Sequence, residues 1–319
     1  MSLSPTIARL CGASDAEFVA QLQSLWSGYG AIERWALDGG TRSVIVKRIA
    51  PPDAVAHPRG WHSSLSHRRK LKSYQVESHW YQHQARNLAD DTKVPRCLGI
   101  DHAEGQTLLL LEDLDALGFD LRVSEPSSAQ MALCIQWLAR FHARFLGQAS
   151  EALWDKGTYW HLDTRPEEWA VMTDSRLQAA AASIDNALHG AQYRTLVHGD
   201  AKLANFCFGK QAVAAVDFQY VGGGVGVQDL AYFLGSVLDE AALLEQGSNW
   251  LTHYFQALGQ ALLEHGFSEA QCQSVEAEWR RLYPVAVADF ARFLNGWAPD
   301  HWKVNRYTEG MTSKALSLL

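Results

Sequence analysis

A short stretch in the second half of the chain holds a base, a cation and two side chains suited to a hard metal ion. It runs His198-Gly199-Asp200-Ala201-Lys202-Leu203-Ala204-Asn205 and is followed by Val216-Asp217-Phe218. Phosphoryl transfer needs little covalent help from a protein. It needs held phosphates, neutralised charge and an oriented nucleophile. Asp200 suits the proton of an acceptor hydroxyl. Asn205, five positions on, and Asp217 offer the oxygen donors that Mg²⁺ prefers, with phosphate oxygens and water completing the octahedron. Lys202 is placed to neutralise charge on the transferring group. Each residue also has an ordinary use, since Asp beside Gly caps turns and loop lysines are commonly solvated. Taken as a set at this spacing, they point to chemistry rather than to separate structural uses. His198 reads as an anchor for the loop, because one proton acceptor is enough.

Further charge partners lie upstream. Lys47 sits among apolar residues in Val44-Ile45-Val46-Lys47-Arg48-Ile49, and Glu77 on a following helix is its natural ion-pair partner. Strand lysine, helix glutamate and catalytic segment then follow in the order a kinase uses them. Gly28-Tyr29-Gly30 is a candidate cover over nucleotide phosphates, although two glycines are often only a turn. Glu112-Asp113-Leu114 is the candidate hinge, where backbone groups would meet adenine. Asp229 reads as a structural residue at a helix N-terminus that also holds the catalytic loop.

The patterns around these residues predict the elements that position them. Ala13 to Trp26 has helical spacing at Phe18, Leu22, Leu25 and Trp26. Two strands, 31–37 and 43–49, flank Asp38-Gly39-Gly40-Thr41, a hairpin turn. Residues 50–69 read as a loop, 71–88 as a helix and 107–111 as a strand. The remainder is mainly helical, with one helix over 167–188 and others over 229–238, 250–263, 269–282 and 285–295. Short strands interrupt at 195–197, 206–208 and 212–216. The expected fold is α+β and bilobal. It has a small β-rich N-lobe over 1–113 and a larger, mainly helical C-lobe over 114–319.

Composition excludes several classes. Net charge is −7, which argues against a nucleic-acid partner. The basic run 67–72 reads as a solvated face. Apolar residues make up 47% of the chain, enough for a full core. The five cysteines are scattered, so a reducing, cytoplasmic setting is expected rather than a disulfide or zinc framework. No apolar run is long enough to span a membrane. Oligomeric state is not legible.

Together, His198-Gly199-Asp200, Asn205, Asp217-Phe218 and the upstream Lys47 and Glu77 resemble the aminoglycoside phosphotransferase and choline kinase superfamily. Leu111-Glu112-Asp113-Leu114, Asp217-Phe218-Gln219, and Glu77 with Tyr81 are similar to its ecdysteroid-kinase-like branch. The resemblance implies a protein-kinase-like fold, ATP, Mg²⁺ and a hydroxylated small-molecule acceptor. It places Asp200 and Lys202 in catalysis, Asn205 and Asp217 on the metal, and Gly28, Gly30, Lys47, Glu77, Glu112 and Leu114 around the nucleotide. No Ala-Pro-Glu follows Asp217 at activation-segment distance, which argues against a protein acceptor. An antibiotic kinase of the aminoglycoside type is one alternative, and a catalytically inactive ATP-binding regulatory module is another. For the acceptor, Trp297, Asp300 and Trp302 are the candidates. The two tryptophans suit a quaternary ammonium, a flat apolar ligand or plain packing, and Asp300 would favour a cation.

Overall fold

The structure, a computed structural model, describes residues 3–51, 64–103 and 105–319. Within them the chain forms two compact units, Met1–Arg122 with Cys207–Val216, and Val123–Phe206 with Asp217–Leu319. The 52–63 part of the expected loop lies outside the described residues. From residue 64 the chain is already helical, so the basic run 67–72 belongs to a helix.

The first unit opens with α1 (Ser4–Cys11), then β1 (Ala16–Ser24), β2 (Gly30–Leu37), β3 (Arg42–Ile49), α2 (Ser64–His83), β4 (Cys97–Ala103) and β5 (Gln106–Glu112). The strands make one antiparallel sheet in the order β1-β2-β3-β5-β4. Strand periodicity divides β3 between two faces. Val44 and Val46 join Leu108, Leu110, Trp35 and Ile7 in a core under α1. Ile49 packs with Tyr74 of α2, and Lys47 shares that face.

Residues 13–26 do not form the expected helix. They hold β1, where Phe18, Val19 and Leu22 are exposed. Two register shifts in its pairing with β2 disturb the alternation, so the apolar residues fall at a helix-like spacing. Phe18 is tied down edge-on to Trp35, with ring centroids 5.7 Å apart.

The second unit supplies α3 (Ser128–Arg144), α4 (Pro166–Ala170), α5 (Ser175–His189), β6 (Thr195–Val197), β9 (Gly222–Gly224), α6 (Val227–Val237), α7 (Glu240–Glu264), α8 (Glu269–Trp297) and α9 (Arg306–Leu318). Between β6 and β9 come β7 (Phe206–Phe208) and β8 (Val213–Ala215), which pair with each other. The helix expected over 167–188 is broken in two. Asp174 caps α5 by accepting from the Arg176 and Leu177 amides, while Asn295 Oδ1 accepts from the Thr173 and Asp174 amides. Conversely, 269–297 is one helix that runs through Pro284. An internal proline costs a helix about 3 kcal/mol or more. Here Tyr283, Pro284, Val285 and Ala286 are all buried, and that packing outweighs it.

No helix among the described residues is long and apolar enough to cross a membrane. The architecture is the expected one, a sheet-rich N-terminal unit and a helical C-terminal unit. Because Leu110, on β5, is fully buried in the core that includes Ile7 and Ala8 of α1, Leu110→Ala should cost about 2–5 kcal/mol. Urea unfolding would read this as a lower midpoint at unchanged slope.

Candidate active site

The second unit presents the segment 198–205 and Asp217. β6 ends at Val197 and pairs with β9, whose three residues are all glycine. A Cβ at Gly223 would approach the Asp155 carbonyl to 2.6 Å, so a bulkier strand would not fit there. The chain then turns at His198-Gly199-Asp200. Gly199 has φ +81°, and a Cβ on it would meet the Tyr220 carbonyl and come within 2.8 Å of the Thr158 amide. Glycine is required on both counts.

Asp229, fully buried in the first turn of α6, fixes this turn. Its Oδ2 accepts from the His198 amide at 2.5 Å, and its Oδ1 accepts from the Gly199 amide at 2.9 Å. The same carboxylate meets His142 Nε2 of α3 at 3.0 Å, and His142 Nδ1 lies 2.8 Å from the Tyr254 hydroxyl of α7. A neutral imidazole with its proton on Nε2 satisfies both contacts. The His198 ring is buried beside Phe218, with centroids 4.5 Å apart, and edge-on to Trp137. It accepts the Asp200 amide proton at Nδ1, which makes it a loop anchor.

Asp200 is thereby held with its two carboxylate oxygens in different surroundings. Oδ2 accepts from Lys202 Nζ at 2.9 Å and from Asn205 Nδ2 at 3.2 Å. Oδ1 is buried and has no hydrogen-bond partner among the described residues. Burial pushes the Asp200 carboxyl above the usual carboxylate range; Lys202 works against this and Asp217 adds to it. Burial also pulls Lys202 down, but the Asp200 carboxylate more than offsets it and keeps the ammonium charged.

Asn205 Nδ2 also donates to the Asp200 carbonyl at 2.8 Å, which commits the amide nitrogen. Its Oδ1 accepts no hydrogen bond among the described residues. Asp217 stands in the left-handed region at φ 68°, unusual for a residue with a side chain, and accepts from Gln219 Nε2 at 2.5 Å. Among the described residues no group of three His, Cys, Asp or Glu is arranged to hold a metal. An amide oxygen and a carboxylate nonetheless match an ion that keeps most of its shell for phosphate and water.

In the first unit, Lys47 Nζ donates to both oxygens of Glu77, at 2.9 and 2.7 Å, and both side chains are buried. At the Gly28-Tyr29-Gly30 turn, the Gly28 and Tyr29 amides bond back to Leu25 and Trp26, and Gly30 starts β2. Glu112 ends β5 in an ion pair with Lys93 at 3.0 Å, and Leu114 is buried.

Of the acceptor candidates, Trp297 stacks on Phe293 with centroids 5.6 Å apart. Trp302 is about half exposed, and Asp300 is exposed and takes part in no ion pair among the described residues. Sequence reading missed Tyr159, Tyr232, Phe290 and Lys303. The Tyr232 ring lies 4.9 Å from Trp160 and 5.0 Å from Phe290. Burial first, then the Asp200 charge, raises both the Tyr159 and Tyr232 hydroxyls, which places these rings within the field of Asp200. Lys303 directly follows Trp302, and that adjacency was the available signal.

A family model, the phosphotransferase enzyme family APH, matches residues 21–268, and the chain belongs to that family. Solved structures share the fold. An amicoumacin kinase in complex with AMP-PNP, Ca²⁺ and Ami is 13% identical, over 95% of this chain and 86% of its own, with a TM-score of 0.53. Choline kinase from Cryptosporidium parvum Iowa II is 9% identical, over 95% of this chain and 88% of its own, with a TM-score of 0.54. At these identities the likeness is one of fold. No curated protein sequence matches the chain.

Replacing Asp229 by Asn leaves a buried amide group where two backbone N–H donors and His142 now converge. The expected cost is about 1–3 kcal/mol for each donor orphaned. Chemical denaturation should show a much lower midpoint for Asp229→Asn. A midpoint equal to wild type would mean that the loop is held by other contacts.

Proposed function

We propose that this phosphotransferase is an ATP- and Mg²⁺-dependent kinase of a small-molecule hydroxyl, with Asp200 as the base. The observation that carries the reading is the buried Asp200 Oδ1, which makes no hydrogen bond of ordinary geometry among the described residues, with the Tyr232 hydroxyl interacting with the same carboxylate, while its twin oxygen is held by Lys202 and Asn205. A buried acceptor atom kept unpaired in a loop so fully bonded is costly to the fold, and a substrate hydroxyl would satisfy it.

In the reaction, the acceptor oxygen forms a bond to the γ-phosphorus and the bond from that phosphorus to the β–γ bridging oxygen breaks. The electron pair leaves with ADP, and the hydroxyl proton passes to Asp200. Lys202 stabilises the negative charge of the Asp200 carboxylate and of the group in transfer. Asn205, through Oδ1, and Asp217 are the residues that would hold Mg²⁺. Bound there, the ion supplies charge neutralisation at the phosphates. The strain at Asp217 fits a carboxylate held in place for a ligand. Lys47, locked by Glu77, is assigned to the phosphates, and Gly28, Gly30, Glu112 and Leu114 to the rest of the nucleotide. We accordingly assign 1–113 to nucleotide binding and 114–319 to catalysis and acceptor binding.

The raised Asp200 carboxyl gives a sign that can be checked. A carboxyl whose folded value lies above its unfolded value stabilises the fold only when protonated, and it loses that contribution as pH rises through the folded value. Above that folded value the ionised Asp200 therefore weakens the fold. Asp200→Asn should cut kcat by about 10²–10⁴ while leaving the thermal midpoint equal or higher. ATP consumption across a library of alcohols, together with thermal denaturation, measures both. Wild-type protein that binds ATP but consumes none with any alcohol would sink the kinase reading.

A further inference from the structure

The rings next to Asp200 already hold a cation. Lys303 Nζ lies 5.1 Å from the centroid of Tyr232, 5.5 Å from Phe290 and 5.5 Å from Trp302. Each distance is within the range of cation–π attraction, so three faces converge on one ammonium. Tyr159 and Trp160 back the same wall, with Tyr159 5.6 Å from Tyr232 and Trp160 5.1 Å from Phe290. This wall reaches the catalytic carboxylate, because Tyr159 and Tyr232 both feel the Asp200 charge.

Lys303 is partly buried, and its ammonium has neither an ion pair nor a hydrogen bond among the described residues. Burial brings it down to about 8, with Asp200 acting to raise it and Lys202 to lower it. Asp200 already has Lys202 as its close partner at 2.9 Å. Lys303 is thus a cation withdrawn from water with only ring faces against it, and ring faces compensate a charge less fully than a carboxylate does. A cationic ligand entering here would lose the ring faces to Lys303 and meet two ammonium groups. A carboxylate would complete the pairing that Lys303 lacks.

We propose that Lys303 determines acceptor specificity: its ammonium fills the cation seat of the aromatic wall, and the acceptor is a hydroxyl compound whose carboxylate pairs with it. Amino alcohols and other cationic acceptors are excluded by the same group. This rests on the kinase reading above, and it reverses the cationic preference suggested by Asp300. The aromatic rings then face the body of the acceptor, with its hydroxyl at Asp200 and its carboxylate at Lys303.

The test pairs ligands of similar shape and opposite charge, glycerate and hydroxymethylbenzoate against ethanolamine and hydroxymethylbenzylammonium. Full-length wild type, Lys303→Met and Lys303→Arg are compared by thermal shift in the presence of AMP-PNP and Mg²⁺, and by ATP consumption. The hydroxy acids should raise the wild-type midpoint and the amines should not. Lys303→Met should weaken hydroxy-acid binding by roughly tenfold or more and admit the amines, the scale expected for one charge-assisted pair. In turnover the loss should fall on KM rather than kcat, and Lys303→Arg should restore it. A wild type stabilised by the amines, or by neither class, overturns the proposal, as does a Lys303→Met protein with an unchanged ranking. Hydroxy-acid binding that depends on Lys303 without any ATP consumption would leave the specificity assignment standing and defeat the kinase reading instead.

Discussion

A single buried carboxylate, Asp229, sets the geometry of the turn at His198-Gly199-Asp200. Withdrawing a charge from water costs several kcal/mol unless hydrogen bonds replace the lost hydration. Asp229 receives two backbone N–H groups from His198 and Gly199 and a ring nitrogen from His142. Since the donors are backbone groups of the turn itself, satisfying Asp229 also fixes where Asp200 begins. His142 carries the constraint into α3, and the Tyr254 hydroxyl carries it into α7. The Thr195 hydroxyl donates to the His142 carbonyl at 2.7 Å, so β6 is tied to the same helix. Three helices and a strand therefore agree on one loop conformation, and a charge that would otherwise destabilise the core becomes its point of registration.

The residues assigned to catalysis show the opposite economy. Asp200 Oδ1 is buried and unbonded, the Asp200 carboxyl is shifted against ionisation, and Asp217 sits at a backbone angle that L-residues rarely adopt. None of these helps the fold. They persist because the surrounding contacts over-determine the loop, as expected where stability is traded for function. Asn205 shows how little freedom remains. Its amide nitrogen is consumed by Asp200, and the carbonyl oxygen is the end still able to take a ligand. This orientation comes from the fold alone.

The parts legible in sequence were those whose signal is local. The spacing from His198 to Asn205 and the Asp217-Phe218 pair are short-range facts, and the structure gathers all of them in one unit. Lys47 could be read because strand alternation sets it apart from Val44 and Val46, and its partner Glu77 lies on the next helix. Where tertiary pairing decides, reading failed. Phe18 and Leu22 are spaced as on a helix, but β1 pairs with β2 through two register shifts and leaves them exposed. Pro284 looked like a helix end, yet burial on all sides carries α8 through it. The aromatic wall escaped notice because Tyr159, Tyr232, Phe290 and Lys303 are far apart in sequence and only the fold assembles them.

That wall also changes what the abundance of tryptophan means. Of the three Trp near it, Trp160 is fully buried and donates from Nε1 to Asp289 at 2.9 Å, and Asp289 is in turn held by Arg292. Trp297 stacks on Phe293, and only Trp302 is substantially exposed. Trp160 therefore acts as rigid backing whose polar end is already satisfied, beside the faces of Tyr232 and Phe290. A wall so fixed cannot reshape itself around alternative ligands. Arg165 lies over Tyr159 but is held by Glu168, whereas Lys303, laid across Tyr232, Phe290 and Trp302, has no such partner among the described residues.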